Sequence, residues 1–167
     1  MVTVKTVKID GESIFVFNSE IYIIESIEGY ALELDMIVSE VTLRKYQRED
    51  TLIVEIEPED GGLISSIMDV KVLPGKLPQL NLFCEIVDLN DYPTLSVVNE
   101  NDSEFPNVEK MSITIEDIRK VEMPNERINV RLNLPIDQVE WLQKHKSKEL
   151  NQIFKELIYD FWRQQKS

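Results

Sequence analysis

Residues 127–134 read "RINVRLNL", and a proline follows directly. Arg127, Asn129, Arg131 and Asn133 hold one set of alternate positions, and Ile128, Val130, Leu132 and Leu134 hold the other. Strict alternation is the pattern of a strand whose two faces meet different surroundings. The forked donors of arginine match the two acceptors on a guanine edge, and the asparagine amide matches the donor and acceptor on adenine. A polar face built from those two residue types alone is the most specific chemical signal in the chain.

Other residues capable of chemistry are few or have a plainer explanation. "IVEIEPED" supplies Glu55, Glu57, Glu59 and Asp60, with Glu55 and Glu57 on one strand face. Paired carboxylates can perform glycosidic acid–base work or bind calcium, and a solvated strand face explains them equally. "DLND" and "NENDSE" lack the glycine and closing glutamate of a calcium loop. With five glycines in the whole chain, no phosphate-cradling loop is present. His145 stands in "KHKSKE" and reads as a solvated linker residue, and a single histidine argues against a histidine-built zinc or iron site. Cys84 shares an alternation face with Leu80, Leu82 and Ile86 and reads as a buried structural thiol. One cysteine excludes an intramolecular disulfide and a thiolate metal cluster. The expectation is a non-enzymatic protein with no catalytic residue, metal or cofactor.

Charge divides the chain. Residues 1–125 hold 25 acidic and 10 basic side chains, a balance of −15, whereas residues 126–167 hold 6 and 8, a balance of +2. An acidic body with a mildly basic tail implies two surfaces with different partners. The first residues, "MVTVKTVKIDGE", alternate like a strand and lack the apolar stretch of a secretory signal. No apolar run is long enough to span a bilayer. No membrane association and a cytoplasmic location are therefore expected.

The elements that must position these residues follow from periodicity. "VKIDGESIFVF" sets Asp10-Gly11 between two apolar runs, a strong hairpin signal. "YALELDM" places Tyr30, Leu32, Leu34 and Met36 on one face and Glu33 and Asp35 on the other; "TLIVEIE" does the same with Leu52, Val54 and Ile56. Further strands are predicted around "MDVKVL", "LNLFCEIV", "TLSVV" and "MSITIED". Residues 98–109 read as a surface loop; it contains the sequon Asn101-Asp102-Ser103, which means little without a secretory signal. "VEMPNE" at 121–126 is a natural boundary. After Pro135 the period changes to that of helices, with Ile136, Val139 and Leu142 on one face. A second helix carries Leu150, Ile153, Phe154, Leu157, Ile158 and Phe161, with Asn151 as a candidate N-cap. The expected class is α+β: an acidic barrel or sandwich of short antiparallel strands over 1–124, then a strand–helix–helix unit over 125–167.

That C-terminal unit resembles the ribbon-helix-helix fold of bacterial and phage repressors and antitoxins, over about residues 127–163. "RINVRLNLP" matches the family's strand, "PIDQVEWLQKH" its first helix and "NQIFKELIYDFWRQ" its second. The resemblance implies a homodimer whose strands pair into a ribbon that enters the major groove of double-stranded DNA. It implies Ile128, Val130, Leu132 and Leu134 in the dimer core, and Arg127, Asn129, Arg131 and Asn133 against base edges. The start of the second helix, near Asn151, would contact phosphate, assisted by Lys144, Lys146 and Lys148. The implied function is a dimeric DNA-binding regulator whose acidic domain binds a second partner. The other reading makes "RINVRLNL" the last strand of the N-terminal sheet, with the helices packed across it. On that reading the protein is an acidic interaction module of the phage or immunity type, docking on a basic protein partner or imitating nucleic acid.

Overall fold

The computed structural model describes residues 2–59, 61–99, 101, 106–110 and 112–166. Asp60, and Asp102 and Ser103 of the sequon, lie outside the described residues. The chain divides into two compact units, 1–125 and 126–167. Its class is α+β, with one eight-stranded sheet and four α-helices among the described residues.

In the first unit, β1 (Val4–Ile9) turns through Asp10 and Gly11 into β2 (Glu12–Ile14). Asp10 and Gly11 have φ of 50° and 81°, as required by the two-residue turn whose twist matches the flanking strands. β3 (Asn18–Ser26) and β4 (Gly29–Ile37) make a second hairpin, paired from Asn18 opposite Ile37 to Ser26 opposite Gly29. Helix α1 (Glu40–Tyr46) follows, capped by the Ser39 side chain. Then come β5 (Thr51–Pro58), β6 (Ile64–Lys71), β7 (Gln79–Ile86), the short β8 (Val97–Asn99) and helix α2 (Ile115–Val121).

The strand order is β2-β1-β5-β6-β7-β4-β3-β8, antiparallel throughout except where β8 joins β3. Alternation sends Val7, Ile9, Ile21, Ile23, Leu32, Leu34, Met36, Val54, Ile56, Leu80 and Leu82 to one buried cluster. The sheet curls around that cluster. Val2, just ahead of β1, bridges Ile21 in β3, the Ile21 N–H donating to the Val2 carbonyl at 3.0 Å. The first and last of the six successive strands β1-β5-β6-β7-β4-β3 are thus brought back together. All eight strands belong to one sheet, so the two stacked sheets of a sandwich are not what forms.

One local expectation is corrected. "MSITIED" does not make a strand: its described residues lead into α2, because Thr114 and Asp117 form a reciprocal cap. The Asp117 N–H donates to the Thr114 hydroxyl oxygen at 3.2 Å, and the Thr114 N–H donates to the Asp117 carboxylate at 3.3 Å. Two otherwise orphaned donors are satisfied at once, which outweighs a short alternating pattern. Asp35 lies on the face of β4 opposite Leu34 and Met36, as expected, and is only 4% exposed there. A second apolar cluster of Ile37, Val108 and Ile118 forms beside the sheet, and Val108 accepts through its carbonyl from Asn18 in β3 at 2.7 Å. Arg119 of α2 grips Glu40 of α1 with two bonds of 2.7 and 2.8 Å, and the Ser39 hydroxyl donates to Glu122.

The second unit contains α3 (Ile136–Gln143) and α4 (Ser147–Lys166). Residues 122–135 belong to no helix or strand. The strand expected over 127–134 is therefore absent from the single chain, for a simple reason: a strand exists only when its N–H and C=O groups meet another strand's, and no ladder includes these residues. At 20 residues α4 is about 30 Å long.

Candidate nucleic-acid interface and a polar groove

No described residue of the second unit is buried. Ile128 is 71% exposed, Leu132 56% and Phe161 65%; Val130, Ile136, Trp141, Leu157, Ile158 and Trp162 are also exposed, and Leu134 is half-buried. Large apolar side chains in that density are costly in water, at about 25 cal/mol per Å² of apolar surface. Their placement is ordered. Ile128, Val130 and Leu132 alternate along the extended segment, while Leu150, Ile153, Phe154, Leu157, Ile158 and Phe161 recur by threes and fours along α4. Leu132 and Leu134 join Trp141 and Leu142 of α3 and Phe154 of α4 around an open apolar groove of about 570 Å³.

The polar residues singled out in the sequence lie on the same unit. Arg127, Asn129, Arg131 and Asn133 are all exposed, as are Lys144, Lys146, Lys148 and Asn151. Asn151 does not cap a helix. α4 begins four residues earlier, at Ser147, because the Lys146 N–H donates to the Glu149 carboxylate at 3.0 Å and the Lys146 carbonyl accepts from the Leu150 N–H at 3.0 Å. The N-terminus of α4 consequently lies among Lys144, Lys146 and Lys148 rather than at Asn151. His145 is half-buried rather than free in solvent. Its Nδ1 lies 2.9 Å from the Trp141 carbonyl, and the two rings are 4.4 Å apart.

The first unit accounts for the residues that invited catalytic readings. Glu55 and Glu57 pair with Lys8 and Lys5 across β1 and β5, at 3.4 and 2.8 Å. Hydrogen bonds from Lys5 and Thr6 hold the Glu57 carboxyl below its usual range. Cys84 is half-buried against the core, where it accepts from the Ser66 hydroxyl at 3.3 Å. Among the described residues, no group of three or more His, Cys, Asp or Glu side chains is placed to hold a metal ion, and no helix is long and apolar enough to cross a membrane.

One site was missed by pattern alone. On the outer face of the sheet, register aligns Lys71, Asn81, Asp35 and Glu20 in a row across β6, β7, β4 and β3. Glu33 and Tyr22 face each other in the neighbouring row. Asn81 donates to Glu33 at 2.9 Å and also to Asp35, and the Tyr22 hydroxyl donates to Asp35 at 2.8 Å. Tyr22, Asp35 and Asn81 are buried, yet the Asn81 side-chain carbonyl has no hydrogen-bond partner among the described residues. Burial, with the nearby Asp35 charge adding to it, raises the Glu33 carboxyl above its usual range against the opposing Asn81 bond. Burial and the same aspartate raise the Tyr22 phenol. Tyr22, Glu33 and Asp35 line a groove of about 440 Å³ together with Lys71, Ile24, Leu73, Pro74 and Pro106. In the sequence, Glu33 and Asp35 on the face of β4 opposite Leu32 and Leu34 are its signal, and their partners lie far along the chain.

No protein-family model matches this chain, and no curated protein or solved structure does either.

Proposed function

We propose that this protein is a homodimeric DNA-binding regulator, with residues 126–167 forming a ribbon-helix-helix unit shared between two copies. One observation carries the reading: a unit that buries none of its described residues exposes its apolar side chains in two ordered sets, one at strand spacing and one at helix spacing. A second copy satisfies both sets. Its residues 127–134 supply the missing strand partner, pairing antiparallel so that Ile128, Val130, Leu132 and Leu134 of both chains face inward over the α3–α4 pairs. Arg127, Asn129, Arg131 and Asn133 then line the outer face of a two-stranded ribbon, which fits the major groove. Two-fold symmetry predicts a palindromic target. The N-terminus of α4, with Lys144, Lys146 and Lys148 about it, contributes phosphate contacts.

The first unit buries its own core and carries a balance of −15, which suits it to a second partner with a basic surface rather than to DNA. That charge also favours the second reading, in which the acidic unit itself occupies the nucleic-acid groove of a basic protein. The two readings predict opposite outcomes in one experiment, selection of full-length protein against a random duplex library at low salt, with the bound fraction re-tested at rising salt. Enrichment of one palindromic sequence is expected. No retained duplex at any salt concentration refutes the regulator and leaves the acidic module.

A further inference from the structure

Helix α4 carries two further stripes beside its apolar face. Lys148, Gln152, Lys155, Tyr159, Trp162 and Lys166 recur at intervals of four and three, the spacing by which one helix presents a seam to another. All six are exposed, and they lie on the side of the helix away from Leu150, Ile153, Phe154, Leu157 and Phe161. Glu149, Glu156 and Asp160 fall on the flank between the two. The seam itself holds no acid, and it runs for about 27 Å at 1.5 Å per residue. Tyr159 and Trp162 are more than half exposed, with ring centroids 6.3 Å apart, and the Lys166 ammonium stands 4.2 Å from the centre of the Trp162 ring. Among the described residues no carboxylate pairs with Lys148, Lys155 or Lys166, whereas Lys5, Lys8, Lys45 and Lys120 of the first unit each hold one.

Unpaired ammonium groups beside two aromatic rings suit carboxylates carried on the same surface as apolar side chains, and tryptophan and tyrosine are the residues that most often anchor an interface. The width of the seam narrows the choice of partner. A duplex or an anionic membrane spreads negative charge across the whole helix, so it would meet Glu149, Glu156 and Asp160 as well as the lysines and be repelled by them. An acidic helix covers the seam alone, because its own side chains recur at the same intervals of four and three. We propose that the part of this seam from Lys155 to Lys166 docks an acidic amphipathic helix of another protein, with its apolar side chains over Tyr159 and Trp162 and its carboxylates against Lys155 and Lys166. This surface lies on the side of α4 that the ribbon core leaves open, beyond the N-terminal turn assigned to phosphate. The docking is therefore separate from the DNA reading.

The test titrates full-length protein into a fluorescein-labelled synthetic helix of about 20 residues, with leucine at its a and d positions and glutamate at e and g, and follows anisotropy. The control peptide has lysine in place of every glutamate. The glutamate peptide is expected to bind at micromolar concentration, more weakly as salt rises, and the lysine peptide to stay free. Trp162→Ala, and Lys155→Glu combined with Lys166→Glu, are each expected to weaken the peptide roughly tenfold or more while leaving self-association and any selected duplex unchanged. All three side chains are exposed, so both variants are expected to keep the parent's circular dichroism. The proposal is overturned if the glutamate peptide does not bind, if the lysine peptide binds as well, or if both variants bind like the parent, as they would for a peptide seated on the apolar face. It is also overturned if Trp162→Ala abolishes retention by phosphatidylglycerol vesicles or binding to random duplex, which would make the seam a general anionic contact, or abolishes self-association, which would make the occupant a second copy. Peptide binding without a selected duplex leaves this docking in place and removes the regulator; a selected duplex without peptide binding does the reverse.

Discussion

Leu132→Ala separates a shared C-terminal unit from a self-sufficient one. In the single chain Leu132 is 56% exposed, so truncating it there removes little buried surface and is expected to change stability by no more than about 0.5 kcal/mol. In the ribbon the same side chain enters the dimer core. Burying a leucine fully is worth about 1.5–3 kcal/mol, so covering the exposed half contributes about 1 kcal/mol, and the void left by alanine roughly doubles the loss. Two symmetric copies make the cost about 4 kcal/mol per dimer, which raises the dissociation constant about a thousandfold. Sedimentation equilibrium across a concentration series measures it, and thermal unfolding at several concentrations checks it, because a dimer's midpoint rises with concentration. A parent protein that stays monomeric up to about 100 μM, or a variant within threefold of the parent, refutes the shared core.

Arg131 neighbours Leu132 but lies on the opposite face, so Arg131→Ala is expected to leave the dimer intact and to weaken the selected duplex by about 1–3 kcal/mol per lost base contact, read by competition binding against a scrambled duplex. Equal affinity for both duplexes before and after the change discards the base readout. For Glu33, the native state holds its proton more tightly than the unfolded chain does, so parent stability falls as pH rises from the ordinary carboxylate range through the raised value. Glu33→Gln is expected to flatten that part of the pH profile in thermal melts, and parallel profiles for the two proteins contradict the burial argument. Thr114→Ala removes half of the reciprocal cap on α2 and is expected to lower the urea midpoint by the equivalent of about 1 kcal/mol, whereas Thr114→Ser retains most of it.

Much of the first unit is legible in its sequence because the strand period is local. Asp10-Gly11 announces a hairpin through positive φ, and Leu32, Leu34 and Met36 announce the buried face of β4; both appear as read. α2 is less legible, since "MSITIED" alternates like a strand and only Thr114 with Asp117 marks the start of a helix. The polar groove shows in the sequence only as Glu33 and Asp35. Asn81, Asp35 and Glu20 are far apart in the chain and meet only through the register of three strands.

Sequence by itself determined the division of charge at residue 125, the alternation of Arg127 to Leu134 and the apolar face of α4, since composition and periodicity are properties of neighbouring residues. The tertiary structure decided that the strands close into one curled sheet through Val2 and Ile21, and that Asp35 is buried. It also decided that α4 starts at Ser147 and that residues 127–134 have no strand to pair with in their own chain. Each of those outcomes depends on which distant groups compete for the same hydrogen bonds and the same apolar contacts. A local pattern specifies what a segment offers, and only the folded chain determines whether anything is there to accept it.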